Sequence, residues 1–510
     1  MIQLTGASRR RQYLLGPRRA PLVSGWRTVA IGPDLLLEAH PDLQVTQAMT
    51  GDRRLTLLGF IVDPTAPGRS DIEILEGLAD DVRIDAPAVG TARFGGRWVL
   101  IVEAGGHTVL LADPAGLRQT YHAVSGAGAV WAASQSAFLA QVLDLPVDPE
   151  AAEFAGSVYF RSYPEPWWPA DATLHQGSQR LLPNHLLDLR TGLVRRFWPD
   201  APKGRLSVDE AADRCATLLR GSMNAAAARG PLVLGLTAGI DSRSLLAASR
   251  DVQAGLLCCT IDNGVSGGNR RDVTTARRVL DRLGLPHLVV PRASSIDPSF
   301  LRDYQASVDC PHAYCAHHTF ALLRDLPTDR LWVSGNCSEI GRGYLRSQMP
   351  GIVTTPRSLA AAANMERSPW AVRSIGRWLD TAAPAAERYG YDPVDLFHWE
   401  HIMGSWLANA QSERDIVTDW FTPFGDRLLI ETMLAVDLAD RMPPAHRLHR
   451  AMLSILWPET LAEPFNPVDP IGRLRLVARS GAVGLLSRTH LLGPIKTAFL
   501  KARSRRIERL

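Results

Sequence analysis

The chain has 510 residues, of which 46% are hydrophobic and 21% charged, a composition typical of a globular protein with two or three domains rather than of a disordered or fibrous one. The net charge of +4 is small and no basic stretch is interleaved with aromatic residues, so the sequence does not require a nucleic-acid partner. Apolar runs fall short of the roughly 18 residues of a membrane-spanning helix. The six cysteines form no regular disulfide framework, so we expect a cytoplasmic protein.

The N-terminal part alternates short apolar stretches with turn-forming ones, such as residues 63–71 (DPTAPGRSD) and 103–108 (EAGGHT). Short strands separated by turns predict a layered, mostly β domain, which we assign to residues 1–200. Pro199, Pro202, Lys203 and Gly204 mark a linker at its end.

The second part alternates helical and strand patterns. Residues 208–229 are Ala-rich and predict a helix, and residues 256–261 and 284–290 predict strands. This order predicts an α/β domain over residues 205–470 with a doubly wound parallel sheet, and such sheets bind ligands at the carboxyl ends of their strands. From about Ser358 the pattern is largely helical.

Residues 232–244 (LVLGLTAGIDSRS) predict a buried strand, a turn of small residues and a helix. A helix that begins after such a turn directs unpaired N–H groups at an anion, so the segment has the form of a phosphate-binding cradle. Asp241 stands at the lip of the cradle, where its carboxylate is a suitable ligand for Mg²⁺. The segment lacks the Lys of a Walker loop and the spacing of the dinucleotide fingerprint. The predicted nucleotide-binding residues are Leu236, Thr237, Ala238, Gly239, Ile240, Asp241 and Ser242.

Three further segments carry alternative interpretations. In residues 307–320 (SVDCPHAYCAHHTF) the spacing of Cys and His allows a zinc site, but we favour a polar lining of an acceptor pocket in which His317 or His318 accepts a proton. Arginines in residues 441–450 are either a cationic clamp or solvated. The basic segment 471–510 is either a helical tail packed on its own domain or a contact for a membrane surface or leader peptide.

The cradle resembles the Ser-Gly-Gly-x-Asp-Ser pyrophosphate loop of the ATP pyrophosphatases, with Thr237 and Ala238 in place of the first Ser and Gly. Further segments follow in the order found in asparagine synthetase and its relatives, β-lactam synthetase and the lasso peptide cyclases, and the resemblance spans most of the chain. These segments are Ser70, Asp71 and Glu73, residues 94–102 (FGGRWVLIV), 113–121 (DPAGLRQTY), 174–185 (LHQGSQRLLPNH), 333–344 (VSGNCSEIGRGY), 421–430 (FTPFGDRLLI) and 464–467 (PFNP).

The resemblance implies a glutaminase-like N-terminal domain. A glutamine-hydrolysing member carries a Cys directly after the initiator Met, because its thiolate attacks the amide. This chain has Ile2 there, and its cysteines begin at Cys215. We therefore expect an inactive glutaminase-like domain.

In the second domain the resemblance implies an ATP-dependent ligase that adenylates a carboxylate and releases AMP and pyrophosphate. Ser334 and Gly335 join the nucleotide site, and the cofactors are ATP and Mg²⁺, the metal being held by Asp241 and Glu339. Ser338 stands where the family has a magnesium-binding Asp. The implied catalytic residues are Glu339, Tyr344 and Arg450.

The partners implied are a small-molecule or peptide carboxylate, an amine acceptor, and a leader peptide or leader-binding protein. Two alternatives remain open at this point. One is asparagine-type amidation with ammonia as the nucleophile. The other is a non-catalytic nucleotide-binding assembly protein, which the substitutions at Ala238 and Ser338 favour.

Overall fold

The computed structural model describes residues 9–20, 22–264, 268–327 and 329–467. Over these ranges no helix combines the length and the apolar character needed to cross a bilayer. The position that corresponds to the missing nucleophile, Ile2, and the basic segment 471–510 lie outside the described residues, so the predictions made for them stay predictions.

The N-terminal part contains two six-stranded antiparallel sheets, with the strand orders β10-β8-β9-β1-β3-β2 and β12-β11-β7-β6-β5-β4. Their strands are β1 Tyr13–Gly16, β2 Arg27–Gly32, β3 Leu35–Ala39, β4 Val45–Thr50, β5 Arg53–Val62, β6 Gly95–Ala104, β7 His107–Ala112, β8 Tyr121–Val124, β9 Val130–Ala133, β10 Ser178–Arg180, β11 His185–Asp188 and β12 Val194–Arg196. The helices of this part are α1 Asp71–Asp81, α2 Pro87–Thr91, α3 Ser136–Leu143, α4 Pro149–Ala155 and α5 Val158–Ser162.

Strand β6 shows why the two sheets stack. Its side chains alternate between faces, as the period of two in a strand requires. Val99 and Ile101 join a core that contains Leu15 and Leu37 of the other sheet, whereas Trp98 and Leu100 join the core on the opposite face. Both faces of the second sheet are therefore covered, and the N-terminal part is layered.

The second part is built on a five-stranded sheet in which every pair is parallel, with the order β15-β14-β13-β16-β17. The strands are β13 Leu232–Gly235, β14 Leu256–Asp262, β15 His287–Pro291, β16 Leu331–Val333 and β17 Trp420–Phe421. The chain runs outward from β13 to β15 and then returns to the other side of β13. The crevice at such a reversal, at the carboxyl ends of the strands, is where open α/β sheets bind ligands.

Helices surround this sheet and form most of the chain after it. The α-helices are α6 Val208–Arg229, α7 Ile240–Ala248, α8 Gly268–Leu283, α9 Pro298–Gln305, α10 Ala313–Asp325, α11 Ser338–Gly341, α12 Tyr344–Gln348, α13 Pro356–Ala362, α14 Pro369–Tyr389, α15 Pro393–Leu396, α16 Ala408–Ser412, α17 Arg427–Leu434, α18 Leu438–Arg441 and α19 Arg447–Leu456. A π-helix spans Phe397–Leu407, and 3-10 helices span Arg250–Gly255, Pro423–Gly425 and Pro458–Leu461. Leu234 packs on one face of the sheet and Val233 on the other, so apolar residues cover both faces.

Charged side chains join the N-terminal sheets to the second part. Arg97 on β6 is 1% exposed and donates to both carboxylate oxygens of Asp415 and, at 3.1 Å, to Asp419. Arg118 donates to Asp419 at 3.1 Å. Near α6, Arg229 forms a bidentate pair with Asp71 at 2.8 and 2.7 Å. A buried guanidinium left without its carboxylate is costly, so these pairs fix how the two parts dock.

Ser70, Asp71 and Glu73, which resemble a motif of the asparagine synthetase family, also have a structural role here. Ser70 and Glu73 form a capping box at the start of α1, in which each side chain bonds the other residue's backbone N–H. Asp71, between them, binds Arg229.

The mixed α/β class, the parallel sheet and the helix over Val208–Arg229 agree with the sequence predictions. Residues 464–467 are one of the segments that carry the resemblance, and they follow the last described helical turn, Pro458–Leu461. These residues are non-helical and cross the cradle, where the Asn466 N–H donates to the Ala238 carbonyl at 3.0 Å. Pro464 and Pro467 lack the backbone N–H that a helix requires, and Asn466 has a φ of 42°, outside the right-handed helical region.

Replacing Asp419 by Asn should destabilise the protein at pH 7 by about 2 to 4 kcal/mol, because Arg118 and Arg97 each lose a charged partner. Burial opposes ionisation of Asp419, but Arg118 and Arg97 outweigh it and lower its pKa. The stabilisation is thus present above the unfolded-state pKa and is lost as the pH falls through the folded-state pKa. Urea unfolding at pH 7 and at about pH 3 should show the difference between wild type and variant shrinking in acid. Asp85→Asn, which breaks an exposed pair with Arg83, should cause no measurable loss; an equal loss in both variants would contradict the prediction.

Candidate functional site

The cradle is organised by hydroxyl groups. The Thr237 N–H donates to Ser242 Oγ at 3.1 Å, and the Gly239 N–H donates to Thr237 Oγ1 at 3.1 Å. The Ala238 N–H donates to Asp272 Oδ1 at 2.9 Å, which ties the turn to helix α8. Leu236 is buried, and its N–H and carbonyl bond the backbone of Cys259 and the side chain of Thr260. These hydrogen bonds fix the conformation of the turn without a ligand.

Helix α7 begins at Ile240 with Gly239 as its N-cap, and no side chain caps it. Its first N–H groups are consequently directed at the space in front of the helix, where the helix dipole also favours an anion. Neither Ala238 nor Gly239 has a positive φ; Gly239 has a φ of −74°. Ala238 therefore fits the turn without strain.

Gly335 brings the second loop against the cradle. It follows β16, the strand on the other side of the topological reversal. A Cβ atom at Gly335 would lie 2.8 Å from the Ser242 backbone nitrogen and 2.9 Å from the Asp241 carbonyl carbon. Only glycine permits this approach, and it places helix α11 beside the start of α7.

Two carboxylates and one guanidinium meet at this junction. Arg342 Nε and Nη2 donate to the two carboxylate oxygens of Asp241 at 2.9 and 3.0 Å. Arg342 Nη2 also lies 3.9 Å from Glu339 Oε1. The side chains of these residues are 13 to 17% exposed, so the cluster is largely shielded from water yet reachable from the cradle.

The carboxylate of Glu339 is the strongly perturbed group of this cluster. Burial and the neighbouring Asp241 carboxylate raise its pKa to about 7, against the opposing effect of Arg342. Its Oε2 atom is buried and has no hydrogen-bond partner among the residues that the structure describes. Two adjacent carboxylates with an unsatisfied oxygen are a donor set that suits a hard divalent cation, so the residues fit Mg²⁺ held by Asp241 and Glu339.

Ser338 and Tyr344 flank this cluster. Ser338 is buried, and its Oγ lies 2.9 Å from Nε2 of His449, whose pKa burial lowers to about 4. A neutral imidazole therefore faces the position where the family has a carboxylate. Tyr344 is 36% exposed, and its ring lies 4.8 Å below Arg342 Cζ.

The arginines predicted as a clamp are engaged elsewhere. Arg441 is buried and donates to the carbonyls of Val436 and Gly341 and to Asp395. Arg447 is exposed and pairs with Asp440. Arg450 is exposed, donates to the Ala445 carbonyl and lies 5.0 Å above the ring of Phe465. The cation that contacts the two carboxylates is Arg342 instead.

Sequence reasoning missed Arg342 and Arg243. The available signal for Arg342 was its position three residues after Glu339, a spacing at which side chains on a helix are neighbours. Arg243 is fully buried in α7, donates to the carbonyls of Glu463, Pro464 and Ala238, and lies 4.5 Å from the ring of Phe465. It thereby holds the closing segment, residues 460–467, over the cradle.

The Cys and His segment supplies a buried network. His312 lies within 4.8 Å of Cys315 and Glu413, but these ligand atoms already bond protein groups: His312 Nδ1 contacts Glu413 at 3.2 Å and Nε2 the Pro166 carbonyl at 2.9 Å. Burial would lower the pKa of His312, but Glu413 outweighs it and raises the pKa. The group is thus an ion pair with satisfied hydrogen bonds, which needs no zinc. His317 bonds the Ala293 carbonyl, outside this network.

A cavity of about 330 Å³ adjoins the cradle at the carboxyl edge of the parallel sheet. Leu236, Thr237 and Asp272 line it on the cradle side, and Ser334 and Asn336 line it after β16. The anion-binding turn therefore borders a cavity large enough for an organic group, and the loop after β16, which leads to Glu339, borders the same cavity.

Comparison with known proteins adds two distant structural likenesses. A solved NH3-dependent NAD synthetase from Campylobacter jejuni is 16% identical, with 38% of this chain and 81% of that chain covered and a TM-score of 0.20. A glutamine phosphoribosylpyrophosphate amidotransferase from B. subtilis is 10% identical, with 67% and 73% covered and a TM-score of 0.20. No protein-family model and no curated protein matches the chain. A TM-score of 0.20 establishes no shared fold, so the fold assignment rests on the sheet topology.

Replacing Glu339 by Gln should stabilise the protein at about pH 8 by on the order of 2 kcal/mol, because the folded state no longer holds a second negative charge beside Asp241. A raised carboxyl pKa means that the folded state binds more protons than the unfolded state between pH 4.5 and about 7, so wild-type stability falls as the pH rises through this window. Urea unfolding across pH 4 to 9 measures both effects. The exposed control Glu153→Gln should show neither, and a Glu339→Gln variant with the wild-type pH dependence would contradict the coupling to Asp241.

Proposed function

We propose that this chain is an ATP-dependent amide-forming ligase that activates a carboxylate by adenylation and transfers the acyl group to an amine. The observation that carries this proposal is the junction of Asp241, Glu339 and Arg342 beside an uncapped helix N-terminus at the reversal point of a parallel sheet. An anion-binding turn next to two carboxylates suits the charge distribution of a metal-bound nucleoside triphosphate.

In this reaction a substrate carboxylate oxygen attacks the α-phosphorus of ATP and the bond to the bridging oxygen of the β-phosphate breaks. Pyrophosphate leaves, and an amine then attacks the acyl carbon and displaces AMP. The N–H groups at the start of α7 bind and orient the phosphates. Mg²⁺ held by Asp241 and Glu339 would neutralise charge on the phosphates.

Arg342 gives the site a permanent cation. In the described arrangement it holds Asp241, and its guanidinium suits bidentate binding of phosphate oxygens as well as of carboxylate oxygens. Arg342 can therefore neutralise charge on the phosphates, which is the role that the sequence suggested for Arg450. As the alternative to holding the metal, Glu339, whose pKa burial and Asp241 raise to about 7, is suited to take the proton that the amine loses on attack. Tyr344, below Arg342, borders the same space.

The amine is an organic acceptor or ammonia, and both use the same activation step. The non-catalytic alternative has its own support, because Asp241 is closed by Arg342 and the segment 460–467 covers the turn. The two functions differ in one measurement, since an assembly protein binds ATP without cleaving it.

Asp241→Asn should reduce incorporation of labelled pyrophosphate into ATP by about 100-fold or more, because both the metal and Arg342 lose their charged partner. The assay supplies magnesium, ATP and a set of N-acetylated amino acids as carboxylates. Arg342→Lys should retain more activity than Arg342→Ala, because lysine keeps the positive charge although it loses the bidentate geometry of the guanidinium.

The matched control is Asp440→Asn, which breaks an aspartate–arginine pair with the exposed Arg447 and should exchange at the wild-type rate. Wild-type exchange in Asp241→Asn would contradict the assigned role of Asp241. Tight binding of ATP by the wild-type protein with no exchange for any carboxylate would favour the assembly protein.

A further inference from the structure

The cavity beside the cradle is larger than the phosphate chain of a nucleotide requires. Its far half lies on the face of the parallel sheet that α10 covers, and its wall is completed by the helical segment that contains Trp406 and Ala410. Glu165, from the N-terminal part of the chain, also lines it. The far half is thus enclosed by three separate segments.

Three tryptophan side chains line the far half of the cavity. Trp332 and Trp420 are 4% and 6% exposed, and their rings stack with centroids 5.0 Å apart at 29°. Gly235 makes room for them, because a Cβ atom there would lie 2.8 Å from Trp332. Trp406, which is half-buried, supplies a third indole. Broad aromatic surfaces of this kind bind planar or bulky apolar groups.

The charged side chains of the far half bond other residues of the cavity wall. Arg414 lies 5.0 Å above the ring of Trp420 and donates to Cys315 Sγ at 3.2 Å. The Glu165 carboxylate accepts from the Trp406 indole N–H at 3.1 Å and from the Cys315 thiol at 3.1 Å. One cation and one anion therefore offset each other, which disfavours a ligand group with its own charge.

Two buried polar atoms in this wall have no hydrogen-bond partner within the described ranges, His318 Nε2 and the Trp420 indole nitrogen. Both residues are more than nine-tenths buried. Burial and the nearby Arg414 lower the pKa of His318 to about 3, so its ring is neutral. A buried indole N–H without an acceptor costs free energy that a ligand carrying an acceptor would remove.

We infer that this far half receives the side group of the carboxylate substrate, and that this group is an uncharged aromatic one bearing a hydrogen-bonding oxygen. The inference rests on the proposed function, which supplies the adjoining adenylation site. It adds that specificity lies in Trp332, Trp406 and Trp420, and that the N-terminal part completes the pocket through Glu165.

The test measures binding by calorimetry to the full chain, with N-acetyl-L-tyrosine, N-acetyl-L-alanine and magnesium ATP as separate probes. The tyrosine probe should bind at least about tenfold more tightly than the alanine probe, as expected when an aromatic group is buried. Trp406→Ala should reduce this preference to less than about threefold and leave the ATP affinity unchanged. Trp370→Ala, the same change at a half-buried tryptophan outside this cavity, should alter neither.

His318→Ala provides a second variant if Trp406→Ala does not fold. It should lower the affinity for the tyrosine probe and leave the affinities for the other two probes unchanged. Equal affinity for the two amino-acid probes would overturn the inference, whereas pyrophosphate exchange by the same wild-type protein would leave the proposed function standing. Loss of ATP affinity in Trp406→Ala or His318→Ala would also overturn it, because the far half would then hold the nucleotide base. Failure of the wild-type protein to bind ATP would instead count against the proposed function.

Discussion

A buried guanidinium, that of Arg97, determines how the two parts of this protein fit together. It extends from an N-terminal strand into the segment that leads to β17, and the two aspartates that neutralise it lie four residues apart there. Because β17 is the last strand of the parallel sheet and carries Trp420, the position of that strand depends on charges supplied by the other part. The N-terminal sheets therefore shape the crevice in which the candidate site lies, although they supply few of its residues.

The N-terminal part has a structural role that does not depend on any chemistry of its own. Its motif residues Ser70 and Glu73 cap a helix, Asp71 binds Arg229 of the second part, and Glu165 borders the cavity. Removing the N-terminal part would therefore expose apolar surface and leave buried charges of the second part without partners.

Local patterns in the sequence predicted the elements more successfully than the contacts of the site. The cradle strand, the helix over Val208–Arg229 and the alternation of strands and helices follow from periodicity and from turn residues, which act over a few positions. The pairing of Arg342 with Asp241 joins residues 101 positions apart, and no local pattern encodes it. The same holds for the three indoles of the cavity, which converge from β16, β17 and the π-helix. The role of Arg450 rests on residue type and stays a prediction, because the structure shows only that it lies on α19, 5.0 Å from the ring of Phe465.

The close approach of Gly335 to Ser242 has a consequence for how the site meets a ligand. A side chain at Gly335 would collide with the backbone of Asp241 and Ser242, so the two loops pack directly against each other. The spacing between Asp241 and Glu339 is thus set when the chain folds, and the repulsion between them is carried by the folded state itself. The site is therefore preorganised. A cation that binds there relieves the repulsion between the two carboxylates and does not have to order the loops first. The segment over the cradle is held differently, because Arg243 binds it through the carbonyls of Thr460, Glu463 and Pro464 and through the ring of Phe465.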